Sequence, residues 1–160
     1  MFKGRFPWCA AIILLLVLGN AVMFYKFIFS GTTVAVSGPD NRTAILLTDD
    51  ERNLVLTEMR QFLAAAQTIS SAISRNDMEL VATTAKGVGF AAAQAVPPGL
   101  MAKLPLNFKQ LGLDTHKGFD QIAIDAKDMG DAQNTQQQLA QLMGNCVACH
   151  ATFQLRTTPQ

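Results

Sequence analysis

Cysteine and histidine are scarce in this chain, three and two among 160 residues. Three thiols cannot form a framework of disulfides, least of all when two of them belong to one short motif. Of the two histidines, His116 stands alone in sequence, so the second ligand cluster that a structural zinc site needs is missing. A formal charge of +1 gives no reason to expect nucleic acid as a partner. Asp49, Asp50, Glu51, Asp120, Asp125, Asp128 and Asp131 fall at expected helix ends or solvent faces. No Ser/His/Asp or paired-carboxylate spacing suggests hydrolysis, so the chain does not read as an enzyme. No strand alternation and no low-complexity tract competes with helical periodicity, and the fold class expected is all-α.

The pattern that is present, and most specific, is Cys146-Val147-Ala148-Cys149-His150, because C-x-x-C-H is the attachment signature of a c-type haem. Two thiols three positions apart share one helical turn and can each add to a vinyl group, while the adjoining imidazole reaches iron from the same side. A dithiol redox motif has the same cysteine spacing but belongs to a strand-to-helix context, and nothing here alternates strands with helices.

The second signal is the apolar run from Phe6 to Tyr25, which at about 1.5 Å per residue spans roughly 30 Å of hydrocarbon. A cleavable signal peptide is the rival reading, with Lys3 and Arg5 as its basic start. Its small-residue site Gly19-Asn20-Ala21 is nevertheless followed by further apolar sequence through Phe29. An uncleaved anchor is expected over residues 1–30. Lys3 and Arg5 precede the span and only Lys26 closely follows it, which places the N-terminus in the cytoplasm and the remainder outside. Asn20 is a polar amide tolerated within the run, and Cys9 is a small buried hydrophobe with no partner.

Residues 31–47, rich in Gly, Ser, Thr, Pro and Asn and containing the turn cluster Ser37-Gly38-Pro39-Asp40, read as a linker. The folded domain is expected over 48–160, opening on a capping box formed by Thr48 and Glu51. A first helix runs to about Ser74 with Val55, Met59, Phe62, Ala66, Ile69 and Ile73 on one seam. A second starts at Asn76 or Asp77 and ends at Pro97-Pro98-Gly99, and Gly87, Gly89 and Ala91 to Ala93 make it thin. A third, from about Leu106 to Met129, carries Phe108, Leu111, Thr115, Phe119, Ile122, Ala126 and Met129 on its apolar face. His116 lies one position off that stripe, at the surface or rim. The fourth, from about Ala132 through Phe153, turns Leu139, Leu142, Met143, Cys146, Cys149, His150 and Phe153 inward. Four long helices with short links imply an antiparallel four-helix bundle preceded by one transmembrane helix.

A C-x-x-C-H motif on the last helix of such a domain, followed by Phe153, resembles the class II c-type cytochromes, the cytochrome c-prime and cytochrome c-556 group, over roughly Thr48 to Leu155. The resemblance implies one covalent haem c, thioethers at Cys146 and Cys149, and His150 as the proximal iron ligand. It further implies a first-helix residue on the opposite haem face. Glu58-Met59-Arg60-Gln61-Phe62-Leu63 resembles the segment that supplies it, with Arg60 placed to pair with a propionate. Strict alignment of the Arg-Gln pair sets the distal position near Ala64, too small to ligate. If Met59 faces the haem instead, its thioether is a sixth ligand; otherwise Met59 is core filler.

The resemblance places attachment on the outer face of a bacterial inner membrane, hence a single-pass protein with its haem domain in the periplasm. The function expected is electron transfer with redox partner proteins. Two alternatives stand beside it: a five-coordinate module binding nitric oxide or carbon monoxide with Leu63 or Ala64 distal, and a haem-bearing subunit of a larger membrane redox complex. A homodimer is a further expectation of the resemblance.

Overall fold

The computed structural model describes residues 6–34 and 39–157. Lys3 and Arg5, and Ser37 and Gly38 of the expected turn, lie outside the described residues. The chain is mostly helical, with one N-terminal apolar helix. That helix, α1 (Phe6–Tyr25), continues as a π-helical turn, Lys26–Ser30. Every side chain from Trp8 to Phe29 is exposed, Cys9 included, so no surface among the described residues covers the segment; it is long and apolar enough to cross a membrane. Asn20 donates its side-chain amide to the Leu16 carbonyl at 2.8 Å, which satisfies it within its own helix.

The exit from α1 is docked to the rest of the chain. Gly31 adopts φ +60°, a left-handed conformation that glycine takes without penalty, and its backbone lies close against Lys103, Leu104 and Pro105. Thr32 N donates to the Lys103 carbonyl at 2.7 Å. Lys109 Nζ donates to the carbonyls of Phe27 and Ile28 at 3.1 and 3.3 Å, which the end of a helix leaves without intrahelical donors.

The capping box forms as expected: Thr48 Oγ1 accepts from Glu51 N, and the Glu51 carboxylate accepts from Thr48 N. It starts α2 (Asp49–Ser74). Glu51 also pairs with Lys103 Nζ at 2.8 Å, and the hydrogen bonds from Lys103 and from the Thr48 backbone hold its carboxyl below the usual range. Helices α6 (Leu106–Asp128) and α7 (Ala132–Thr152) match their expected spans, with Asp131 capping α7 through Gln133 N and Asn134 N.

The second helix does not run through to Pro97. It divides into α3 (Met78–Gly87), the single turn α4 (Phe90–Ala93) and α5 (Pro98–Lys103). The break falls at Gly87-Val88-Gly89, where two residues of poor helix propensity bracket a β-branched one. Its freed backbone is given partners: Asp120 accepts from Phe90 N at 2.8 Å and from Lys86 Nζ at 2.9 Å.

The expectation of no strands is corrected as well. Three occur among the described residues, β1 (Thr33–Val34), β2 (Thr43–Leu47) and β3 (Phe153–Thr157), in the order β1-β2-β3, with β1–β2 antiparallel and β2–β3 parallel in register from Thr43↔Phe153 to Leu47↔Thr157. Within the expected linker, Thr33–Val34 and Thr43–Leu47 are therefore strand, and ordered structure is present ahead of Thr48. Ala44, Ile45 and Leu47 are fully buried, and a five-residue strand with no alternation is invisible to a search for period two.

Two apolar clusters result. Phe62, Ile69 and Ala72 of α2 meet Val81 and Ala85 of α3, Phe119 and Ile122 of α6, and Leu139 and Leu142 of α7. Nearer α1, Ile45, Leu47, Val55, Leu100, Leu104 and Phe153 form the second, with Phe108 set edge-on to Phe153 at 5.5 Å. Ile45→Ala should cost roughly 2–5 kcal/mol in denaturant unfolding of the full chain, as expected for a buried isoleucine. A loss within about 0.5 kcal/mol, the scale of surface changes, would mean that 43–47 is a tether after all.

Candidate functional site

The C-x-x-C-H motif occupies the last turns of α7, and the chain leaves the helix directly into β3 at the buried Phe153. Cys149 is half-buried against the cluster nearer α1, whereas Cys146 and His150 are exposed. Met143, Cys146, Val147 and His150, spaced i, i+3, i+4 and i+7, form one stripe along the helix. Met143 is 48 % exposed and Val147 70 %, so of the inward set expected on this helix only Leu139, Leu142 and Phe153 are buried and Cys149 partly so. Gln138, on the other edge of the buried face, bonds to Asp125 and so faces α6. The motif stripe thereby lies toward α2, with which α7 also packs. On α2 the matching flank carries Met59, Ala66 and the 72 % exposed Leu63.

The end of α7 is held by a group absent from the expected set. Arg42 donates to the His150 carbonyl at 3.3 Å, one of the last carbonyls that the helix itself leaves unpaired, and its positive charge suits a helix C-terminus. Asp40 orients it through an ion pair at 2.8 Å, and the Arg42 hydrogen bonds hold the Asp40 carboxyl at about 2. Gln154 in turn donates to the Arg42 carbonyl at 3.0 Å. Sequence spacing could not reveal Arg42, because it meets His150 only through the pairing of β2 with β3.

The two thiols are not activated nucleophiles. Burial raises Cys146, and burial together with the neighbouring Cys146 raises Cys149. Their place at the C-terminal end of a helix further disfavours thiolate, the reverse of a dithiol redox site. Among the described residues no cluster of three or more His, Cys, Asp or Glu could hold a bare metal ion. What the donors do fit is a flat apolar group carrying its own metal. Two neutral thiols and an accessible imidazole share one side of a helix, and exposed Met143 and Val147 between them would be covered by such a group.

No protein-family model, curated protein or solved structure matches the chain. The site is accordingly read from its own residues.

Met59 is half-buried on α2 and packs against both clusters, including the one that Cys149 touches. Arg60 is exposed and donates to Thr57 Oγ1 at 2.8 Å, one turn back on its own helix; it is not brought to the motif. Ala64 is exposed.

His116 departs most from expectation. It is 3 % exposed rather than at the surface or rim. Its Nδ1 lies 2.9 Å from the Val88 carbonyl and 3.1 Å from that of Gly89, so this nitrogen carries the hydrogen; Nε2 faces Glu58 Oε1 at 3.3 Å. The ring also sits edge-on to Phe62 at 4.8 Å. The break after α3 creates two carbonyls in need of a donor, and a histidine just beside the apolar stripe supplies it. Burial pulls the His116 pKa down, but the bond to Glu58, the Val88 and Gly89 carbonyls and the Glu58 charge outweigh it, leaving the value above the ordinary 6.5. A raised folded-state value contributes stability that is complete below pH 6.5 and is lost as pH rises through the folded-state value. Urea midpoints of the full chain should therefore fall as pH increases from 6.5, and Glu58→Gln should flatten that slope. An equally steep slope in the variant would assign the effect elsewhere.

Proposed function

We propose that this chain is a membrane-anchored c-type cytochrome that transfers electrons on the outer, periplasmic face of a bacterial inner membrane. One observation carries the reading: the two thiols and imidazole of C-x-x-C-H share a helix whose end is pinned, beside the exposed apolar side chains of Met143 and Val147, which nothing among the described residues covers. In this reading α2, the broken second helix, α6 and α7 are an antiparallel four-helix bundle of class II cytochrome type, carried by α1 as a single-pass anchor. Lys3 and Arg5 ahead of the span favour a cytoplasmic N-terminus. Redox partner proteins follow from the same reading, and the anchor suits a subunit of a larger complex equally well.

Bound haem c would supply one-electron chemistry at its iron. Cys146 and Cys149 would hold it through thioethers, and His150 would ligate from the α7 side. Arg42 and the β2–β3 pairing keep that imidazole's backbone from fraying, which fixes ligand orientation. Met59 is the α2 side chain best placed to offer a sulfur ligand from the facing flank, since it is half-buried toward both clusters while Ala64 is exposed. Arg52, half-buried on that flank, is a better candidate for pairing with a propionate than Arg60.

Cys146→Ala and Cys149→Ala should each leave little or no covalently retained haem on a denaturing gel stained for haem peroxidase activity. Undiminished staining of the double variant would overturn attachment at this motif. Met59→Ala should change the iron from low-spin to high-spin in the absorption spectrum and lower its reduction potential. If the wild-type ferrous protein is already high-spin and takes up carbon monoxide, Met59 is packing and the five-coordinate gas-binding module replaces electron transfer. The full chain should also resist carbonate extraction from membranes, since roughly twenty apolar residues insert more firmly than surface charge can hold.

A further inference from the structure

A cleft of about 200 Å³ lies on the side of α2 away from the motif, between α2, α6 and the α4–α5 segment. Its walls are mostly apolar, chiefly Val55, Val96, Leu100, Leu104, Phe108 and Leu113, and the polar side chains of Thr57, Glu58, Gln61 and His116 also line it. Lys109, which lines it too, donates to the Phe27 and Ile28 carbonyls at the end of the membrane helix. Lys109 and His116 are separated by about 10 Å along α6, at 1.5 Å per residue. The cleft thus runs from the end of α1 to the pair formed by half-buried Glu58 and buried His116.

These features select a ligand. An apolar cavity of about 150 Å³ accommodates benzene, so this one has room for a single substituted ring and not for a two-chain lipid. His116 engages Glu58 through Nε2, and no other hydrogen bond reaches the Glu58 carboxylate among the described residues. A carboxylate offers several acceptor positions, so this one can still accept from a hydroxyl donor, and it repels the head of a fatty acid. We propose that the cleft binds the ring of a lipid-soluble hydroquinone, its phenolic hydroxyl donating to Glu58 and its apolar tail passing Lys109 toward the bilayer. Binding needs nothing from the Cys146–His150 motif; delivery of electrons there rests on the cytochrome reading.

Gly112 provides the cleanest test, because it lines the cleft and a Cβ built on it meets nothing within 4 Å. Gly112→Leu should fill the cleft while improving helix propensity. The full-length protein in detergent micelles, titrated anaerobically with decyl-benzohydroquinone in a calorimeter, should bind it saturably at one site. Gly112→Leu should weaken binding by about tenfold or more with unchanged helix content. Glu58→Gln should weaken it as well, and the O-methylated ring, which cannot donate, should bind the wild type as poorly as the hydroquinone binds that variant. Unsaturable partitioning, undiminished binding by Gly112→Leu, or decanoate binding as tight as the hydroquinone would each overturn the proposal. Haem content measured on the same samples separates the two readings. Hydroquinone binding without haem would sustain the cleft and sink the cytochrome, whereas intact haem without hydroquinone binding would do the reverse.

Discussion

The parallel pairing of β2 with β3 is the constraint on which the rest of this molecule depends. It joins residues 43–47, which follow the apolar N-terminal helix, to residues 153–157, just after the C-x-x-C-H motif. Ala44, Ile45, Leu47 and Phe153 are buried by it, and the apolar cluster they found also receives α2 through Val55 and α5 through Leu100 and Leu104. Without this ladder the end of α7 would be a free helix terminus, and Arg42 would have no reason to lie beside the His150 carbonyl. The motif is therefore held at a set place relative to the emergence of the chain from α1.

A second constraint is the buried polar group at the helix break. A helix interrupted in the interior leaves carbonyls that water cannot reach, and each is costly unless a donor meets it. His116 meets those of Val88 and Gly89, which commits its other nitrogen to Glu58 and sets an ionisable pair against apolar walls. The short α4 and α5 segments that follow then pack as separate pieces, and the space between them and α6 is the cleft. The poor helix propensity of two glycines is in this way connected to the existence of a cavity.

Much of this was legible in the amino-acid order. The Thr48–Glu51 box, the seam through Val55, Phe62 and Ile69, the spans of α6 and α7 and the apolar N-terminal run all express local rules, and local rules survive into the fold. The C-x-x-C-H motif was equally plain, although its exposure was not: Met143 and His150 lie on a flank of the buried face, and Cys146, in line with Leu139 and Leu142, is exposed nonetheless. What escaped was non-local. Thr43–Leu47 has no alternating pattern because it is buried through pairing with a strand more than a hundred residues away, and Arg42 owes its role to the same pairing. His116 looked peripheral because one position off a stripe is ordinarily the rim. Only the break at Gly87–Gly89, read as thinness rather than as a stop, turns that rim inward.

The same ladder imposes an order of events on a newly made chain. Strand β2 is made early, yet its parallel partner follows the motif by only a few residues, so the sheet cannot close until Cys146, Cys149 and His150 have themselves been synthesised. Contacts of such wide sequence separation are late and slow to form. During that interval the end of α7 lacks its Arg42 clamp, and both thiols lie on an unpinned helix end. Closure of the sheet then seals the chain behind whatever chemistry has been completed there.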